Sequence, residues 1–250
     1  MIRFTIDRFT AAKLKVERAD KHISDLDKII DSLPDLDVST VDRDRDFGHQ
    51  ILKHALPNAE KIAIDMAVII GDAVHNLRVA IEYAYLGAFE RHGLSVDKKV
   101  TFPIRETRRE LEAALGGRNI QTRAPRLFHV MVSHIKSYNV GGNDLFAMLH
   151  KLDLSDKHHL LIPLTNYVGV NGIVVEDETG QEVSGNSLGI QGFGPYFFIF
   201  SAKCNIQNKG KLTVKVVFSN QSILDGSPVS GILKNFSTLT LNTIKALESS

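Results

Sequence analysis

The sequence predicts an α+β fold: a helical N-terminal two-thirds with a long central helix, then an antiparallel β-meander closed by a C-terminal helix. Three observations carry this. Apolar residues recur at three- and four-residue steps through Asp7–Leu33 and Asn58–Arg91, the period of one helix face. From Leu160 onward the pattern shortens to β-branched and aromatic runs separated by Gly and Asn. From Val229 the helical spacing returns in Ile232, Leu233, Phe236, Leu239, Leu241, Ile244 and Leu247. The 250 residues hold no repeat, low-complexity tract or Pro/Ser-rich linker. They read as one composite domain, with 1–159 mainly helical, 160–226 an antiparallel sheet and 227–250 a C-terminal helix.

Taken in order, the first helix ends at Pro34, which cannot continue the hydrogen-bond ladder. Asp35–Gly48 is acidic and turn-rich and reads as a loop, and Gln50–Leu56 fits either a strand or a lead-in to the next helix. The central helix has Asn58 as its N-cap, Glu60 in its first turn and Gly93 just past its end. Ile62, Met66, Ile69, Ile70, Ala73, Leu77, Ala80, Ile81, Ala84 and Ala88 fall on one side of it. At 1.5 Å per residue it would run roughly 50 Å, with a kink expected at Gly71, since glycine costs about 1 kcal/mol against alanine inside a helix.

After Phe102-Pro103-Ile104, three shorter helices are expected at Glu106–Leu115, Arg123–Ser137 and Leu145–Leu152, punctuated by Gly116-Gly117, Pro125 and Gly141-Gly142. In the sheet, Asn171-Gly172 predicts a hairpin turn, with a second turn at Glu178–Gln181. Phe197–Phe200 and Leu212–Phe218 read as strands joined through Gln207–Gly210, and the glycine-rich Gly185–Gly194 as a loop. The C-terminal helix would cover one face of this sheet.

Composition narrows the function classes. Lys and Arg number 30 against 29 Asp and Glu, and no run of 18 apolar residues occurs, so no membrane span or signal peptide is expected. A lone Cys204 forms no intramolecular disulfide and reads as a packing residue, which makes the cytoplasm the default location. Residues 1–50 carry nine basic and eleven acidic side chains, unlike a nucleic-acid-binding arm. Between Arg105 and Lys136 seven basic residues meet three acidic ones, an anion-facing patch or a solvated helix surface. Cofactors are not expected. No partner can be named: a homo-oligomer is compatible with the sequence, nucleic acid has little support, and no membrane contact is expected.

Two polar clusters stand out. Opposite the apolar face of the central helix, Asp72, His75, Asn76 and Tyr83 project within roughly 80° of one another, with Glu82 beside them and Arg78 further round. Asp, His and Asn are mediocre helix formers, so their mid-helix positions call for a contact or a function. The bland account is a buried polar contact plus an Arg78–Glu82 pair at i,i+4. The second cluster, Asp153-Leu154-Ser155-Asp156-Lys157-His158-His159, could supply a general base, a phosphate contact or metal ligands. No HxxxH, HExxH or CxxC spacing occurs, and no metal site is expected. The two clusters should be spatial neighbours, each satisfying the other by charge-assisted hydrogen bonds.

The run from Ile70 to Tyr83, then Phe102-Pro103-Ile104, then Asp156-Lys157-His158-His159-Leu160-Leu161, resembles a widespread group of uncharacterised bacterial proteins. That group carries a GD-x-x-HNLRSALDH helix, an FPI segment and a DKHR motif in this order. Its Arg-x4-His element is similar to the signature of HEPN helical domains, many of which are metal-independent ribonucleases or toxin and defence proteins. In this sequence the arginine position is Arg78, Tyr83 stands where the histidine would be, and His159 stands where the group has arginine. A phenol holds its proton through the neutral range and is a poor general base. The resulting expectation is a binding or interaction protein with Asp72, His75, Asn76, Arg78, Asp156, Lys157 and His158 around a phosphate-containing or other small polar ligand. The alternative is a HEPN-like metal-independent ribonuclease, with His75, Arg78 and His158 as its catalytic candidates.

Overall fold

The computed structural model describes residues 6–159, 162, 164–191, 195–219, 224 and 226–250, without the side chains of 157–159, 166, 167 and 186–191. Helices, antiparallel sheets and a C-terminal helix make it an α+β protein. Its contacts gather into two compact units, each discontinuous in sequence: Met1–Ser24, Val68–Ile162 and Ser230–Ser250, and Asp25–Ala67 with Pro163–Val229.

The first unit is helical. Helix α1 (Arg8–Ser32), which belongs to it through Ser24, starts at Asp7, whose Oδ1 accepts from the Phe9 and Thr10 amides at 2.9 and 3.1 Å. The hydrogen bond from the Thr10 side chain does most to hold the Asp7 carboxyl below its ordinary range. Helix α2 (Ala59–Arg91) is continuous through Gly71. Asn58 precedes it at φ 57, a left-handed conformation asparagine tolerates, and offers its carbonyl to the Ile62 amide. Gly93 at φ 63 ends it, the Leu94 amide reaching back to the Phe89 carbonyl as in a Schellman turn. Ile70, Ala73, Leu77, Ala80, Ile81, Ala84 and Ala88 are wholly buried, so α2 is the core helix its pattern predicts.

Helix α3 (Arg108–Gly116) opens with a complete capping box between Thr107 and Glu110. The expected helix over Arg123–Ser137 is broken into pieces: α4 (Ile120–Arg123), α5 (Pro125–His129) and a π-helical stretch, Val130–Ile135, ended by Lys136 at φ 55. Helix α6 (Leu145–His159) runs seven residues past the expected Leu152, because Asp153 and Asp156 serve as contacts to α2 rather than as a loop. Helix α7 (Val229–Glu248) buries Leu233, Phe236, Ile244 and Leu247, and its Ser237 Oγ donates to Asp20 of α1 at 2.6 Å. It belongs to the helical unit and not to the sheets, a correction to the expected helix-on-sheet packing. An apolar stripe announces that a face is buried and not what buries it.

The second unit is a pair of three-stranded antiparallel sheets, β1-β2-β5 and β4-β3-β6. The expected acidic loop contains strand β1 (Val38–Arg43), paired with β2 (Gln50–Ala55) from Val38↔Ala55 to Arg43↔Gln50. Strand β3 (Leu164–Glu176) passes straight through Asn171-Gly172, where the pairing with β4 (Glu182–Gln191) shifts register. Gly172 thus sits at a bulge instead of a hairpin turn, using the same positive φ, 74. The second predicted turn is present: Asp177 Oδ1 accepts from the Thr179 and Gln181 amides, and Gly180 has φ 83. Gly185–Gln191, expected in a loop, lies in β4, and residues 192–194 fall outside the described residues.

Strand β5 (Tyr196–Phe200) departs from a consecutive meander and pairs with β2, Gln50↔Phe200 to His54↔Tyr196. Strand β6 (Asn205–Phe218) absorbs Gln207–Gly210, the expected link between strands. A Cβ at Gly210 would come within 2.7 Å of Val170 and 2.8 Å of the Asn171 carbonyl, so that position needs glycine on both space and φ. Leu52, Leu56, Val168, Val170, Ile173, Tyr196 and Leu212 form the core of this unit. Gln50 links the sheets, donating to Asn205 Oδ1 and accepting from the Ile206 amide, each at 3.0 Å.

Candidate functional site

Helix α2 supplies one wall of the candidate site and α6 the other. One turn of α2 separates Gly71 from His75, and the Asp153–Asp156 turn of α6 lies against it. His75 Nδ1 meets Asp153 Oδ1 at 2.9 Å. The Asp153 carboxyl is only 4% exposed while the imidazole is 47% exposed, so a buried acid holds a surface base. Since a carboxylate only accepts, Nδ1 carries the shared proton, and Nε2 makes no hydrogen bond among the described residues. Three residues on along α6, Asp156 lies directly over Gly71, where an added Cβ would fall 2.3 Å from Oδ1. Close approach of the two helices is what places glycine there, and not a kink.

The neighbouring stripe residues are tied down in other ways. Asn76 Nδ2 donates to the Asp72 carbonyl at 2.7 Å, and its Oδ1 accepts from Lys15 of α1 at 3.0 Å. Arg78 is buried, with Nη2 2.6 Å from Glu82 Oε1 and Nη1 without a partner among the described residues. Glu82 uses its other oxygen to accept the Phe102 amide at 2.7 Å. Phe102 in turn packs edge-on against Tyr85, ring centroids 5.6 Å apart, and against Phe146. Ser137 Oγ donates to the Pro103 carbonyl at 2.7 Å, fixing the next residue of the same segment. Burial pushes the Tyr85 phenol far above its ordinary range, with Arg118 opposing and Glu82 reinforcing the shift.

The predicted meeting of the two clusters is therefore found through His75–Asp153, and Asp156 lies over Gly71 just before the stripe. Of the predicted ligand set, His75, Asp72 and Asp156 share one face, Asn76 borders it, and Arg78 is turned inward to Glu82. The side chains of Lys157 and His158 lie outside the described residues. Tyr83 lines a separate cleft of about 460 Å³ with Asp7, Arg8, Ala11 and Glu90. Among the described residues no group of three or more His, Cys, Asp or Glu gathers as a metal site. The sequence expectation that His75 or Arg78 approaches Asp153, Asp156 or His158 is met by His75 and Asp153, whereas Lys15 is absent from the predicted site. Nothing in α1 marks Lys15 out, because its partner is 61 residues away. Comparison with protein-family models, curated proteins and solved structures finds no match for this chain.

Proposed function

We propose that the protein binds a phosphate-containing or other small polar ligand at His75, in the cytoplasm. The observation that carries this reading is the His75–Asp153 pair, in which a nearly buried carboxylate orients a half-exposed imidazole whose other nitrogen has no partner among the described residues. In the neutral ring Nε2 offers a lone pair to a donor, and in the protonated ring it offers an N–H to a phosphate or carboxylate oxygen. Asp72 on the same exposed face adds an acceptor for hydroxyl or amine groups, and would set the orientation of a ligand carrying both kinds of group.

The ribonuclease reading has less support. Arg78, the arginine of the Arg-x4-His resemblance, spends its charge on Glu82, and Tyr83 takes the place of the base. Purified protein should leave single-stranded RNA uncut in the presence of a chelator.

The test is an amide-resolved NMR titration with inorganic phosphate and with adenosine monophosphate, on wild type, His75→Ala and Asp153→Asn. Saturable shifts centred on 72–76 and 153–156, weakened tenfold or more in both variants with the fold intact, support the reading. Shifts elsewhere, or binding indifferent to His75, overturn it. RNA cleavage abolished by His75→Ala or Arg78→Ala with the fold intact would replace it by the nuclease.

A further inference from the structure

Outside this site, the π-helical stretch creates a juxtaposition that the sequence spacing hides. His129 and His134 are five residues apart. On an α-helix of 3.6 residues per turn they would point about 140° away from each other. Here Val130–Ile135 is π-helical, and the Lys136 amide closes it by reaching back five residues to the Met131 carbonyl at 2.9 Å. In that winding i and i+5 stack on one side. The two imidazoles accordingly meet, with centroids 5.1 Å apart and ring planes at 79°. Both line a cleft of about 360 Å³ with Arg126, Val130, Ala246 and Ser249.

We infer that His129 and His134 form a two-histidine chelate for a divalent transition-metal ion of tetrahedral preference, with zinc as the best-fitting case. Zinc binds imidazole nitrogen at about 2.0–2.1 Å, and adding about 1.1 Å from nitrogen to ring centre at a tetrahedral angle puts the two centroids about 5.2 Å apart. The observed 5.1 Å matches that centroid spacing. Ala246 and Ser249 bring the C-terminal end of α7 to the same cleft. Among the described residues Arg126 is the cation lining the cleft, and it is solvent-exposed, so its repulsion acts through water. With two protein ligands the remaining coordination positions belong to water or to a partner's donor atoms. A π-turn, rare and costly in hydrogen-bond geometry, recurs at functional sites, and here its consequence is the paired imidazoles.

The experiment is a zinc titration of the full chain by calorimetry and by side-chain imidazole NMR. The expected result is one equivalent of zinc that shifts both rings together. His129→Ala and His134→Ala should each weaken that binding tenfold or more, with the double variant no worse than either single. Both rings are exposed, so these changes leave folding intact. Loss of twofold or less in each single variant means independent monodentate rings and overturns the chelate. A Ser133→His, His134→Ser exchange moves the pair to i,i+4: weaker binding is expected on a π-turn, and tighter binding overturns the geometry.

Discussion

The sharpest test of the β-sheet unit is the His54–Asp37 pair. His54 on β2 is wholly buried, its Nδ1 2.5 Å from Asp37 Oδ2 and its Nε2 3.1 Å from the Lys209 carbonyl on β6. A carbonyl only accepts, so Nε2 carries a proton. A second proton must lie between Nδ1 and the carboxylate, whether held by the ring or by the acid. The imidazole therefore bridges the two sheets and the start of β1 at once, and Asp37 Oδ1 is buried with no partner among the described residues. Asp37→Ala strips the ring of its counter-charge in a dry site, and breaking such a buried pair costs about 3–5 kcal/mol. Asp37→Asn should cost only about 1 kcal/mol, because its amide can donate to Nδ1 while Nε2–H keeps the Lys209 carbonyl. Total stabilities of about 5–15 kcal/mol make the first loss large. The chain has no tryptophan, so urea unfolding is best followed by circular dichroism. An Asp37→Ala protein within about 1 kcal/mol of wild type, or an Asn variant as damaged as the Ala one, would refute the shared-proton bridge.

Three further changes probe the helical unit. Gly71→Ala gains up to about 1 kcal/mol of helix propensity and loses about 0.5–1.5 kcal/mol in displacing the Asp156 carboxylate, so thermal stability should hold while the amide shifts of 153–156 move; collapse of the fold would show that Asp156 cannot yield. Arg78→Ala leaves Glu82 with only the Phe102 amide and should cost about 2–3 kcal/mol, against about 1 or less for the half-exposed His75→Ala; equal costs in chemical denaturation would contradict the inward role of Arg78. Tyr85 has its phenol pushed upward by burial, so the stability it contributes is complete below about pH 10, where an unfolded tyrosine begins to ionise, and is lost as pH rises above that. Tyr85→Phe should flatten the fall of melting temperature between about pH 9 and 11, and an unchanged alkaline slope would place its cause elsewhere.

What could be read in advance follows from the range of the forces involved. Helices α1, α2 and α7 were legible because burial of one face writes a 3.6-residue period into the chain. Strand β1 was not, since Val38 and Val41 are 51% and 40% exposed and its remaining residues are polar, so no alternation marks it. Asn171-Gly172 predicts a turn because the dipeptide reports a need for positive φ, which a bulge shares with a hairpin. The π-turn left no mark, because it depends on where α5 must end. In the site, the residue types were legible and the partners were not: His75 and Asp153 are 78 residues apart, and only the fold decides that they meet.

That distinction sorts the motif residues by what remains after the fold has used them. Gly71 is consumed by the approach of Asp156, Arg78 by Glu82, Glu82 by the Phe102 amide, and Asn76 by Asp72 and Lys15. Asp153 is consumed by His75. These contacts tie the segments around 71–82, 102–103 and 153–156 into one helical assembly, which suffices to explain why such residues occur together. It does not explain His75 itself. An imidazole that served only to satisfy Asp153 could be replaced by an asparagine amide or a serine hydroxyl with less side chain left in water. What the histidine adds is Nε2, held in a fixed orientation by a buried acid and used by nothing else among the described residues. The Asp72 carboxylate beside it makes no contact of its own there either. The functional reading rests on these two leftovers, and the Asp153→Asn variant separates it from a purely structural role. That change keeps a hydrogen bond to Nδ1 while removing the carboxylate that orients the ring. It should preserve the fold while weakening the ligand.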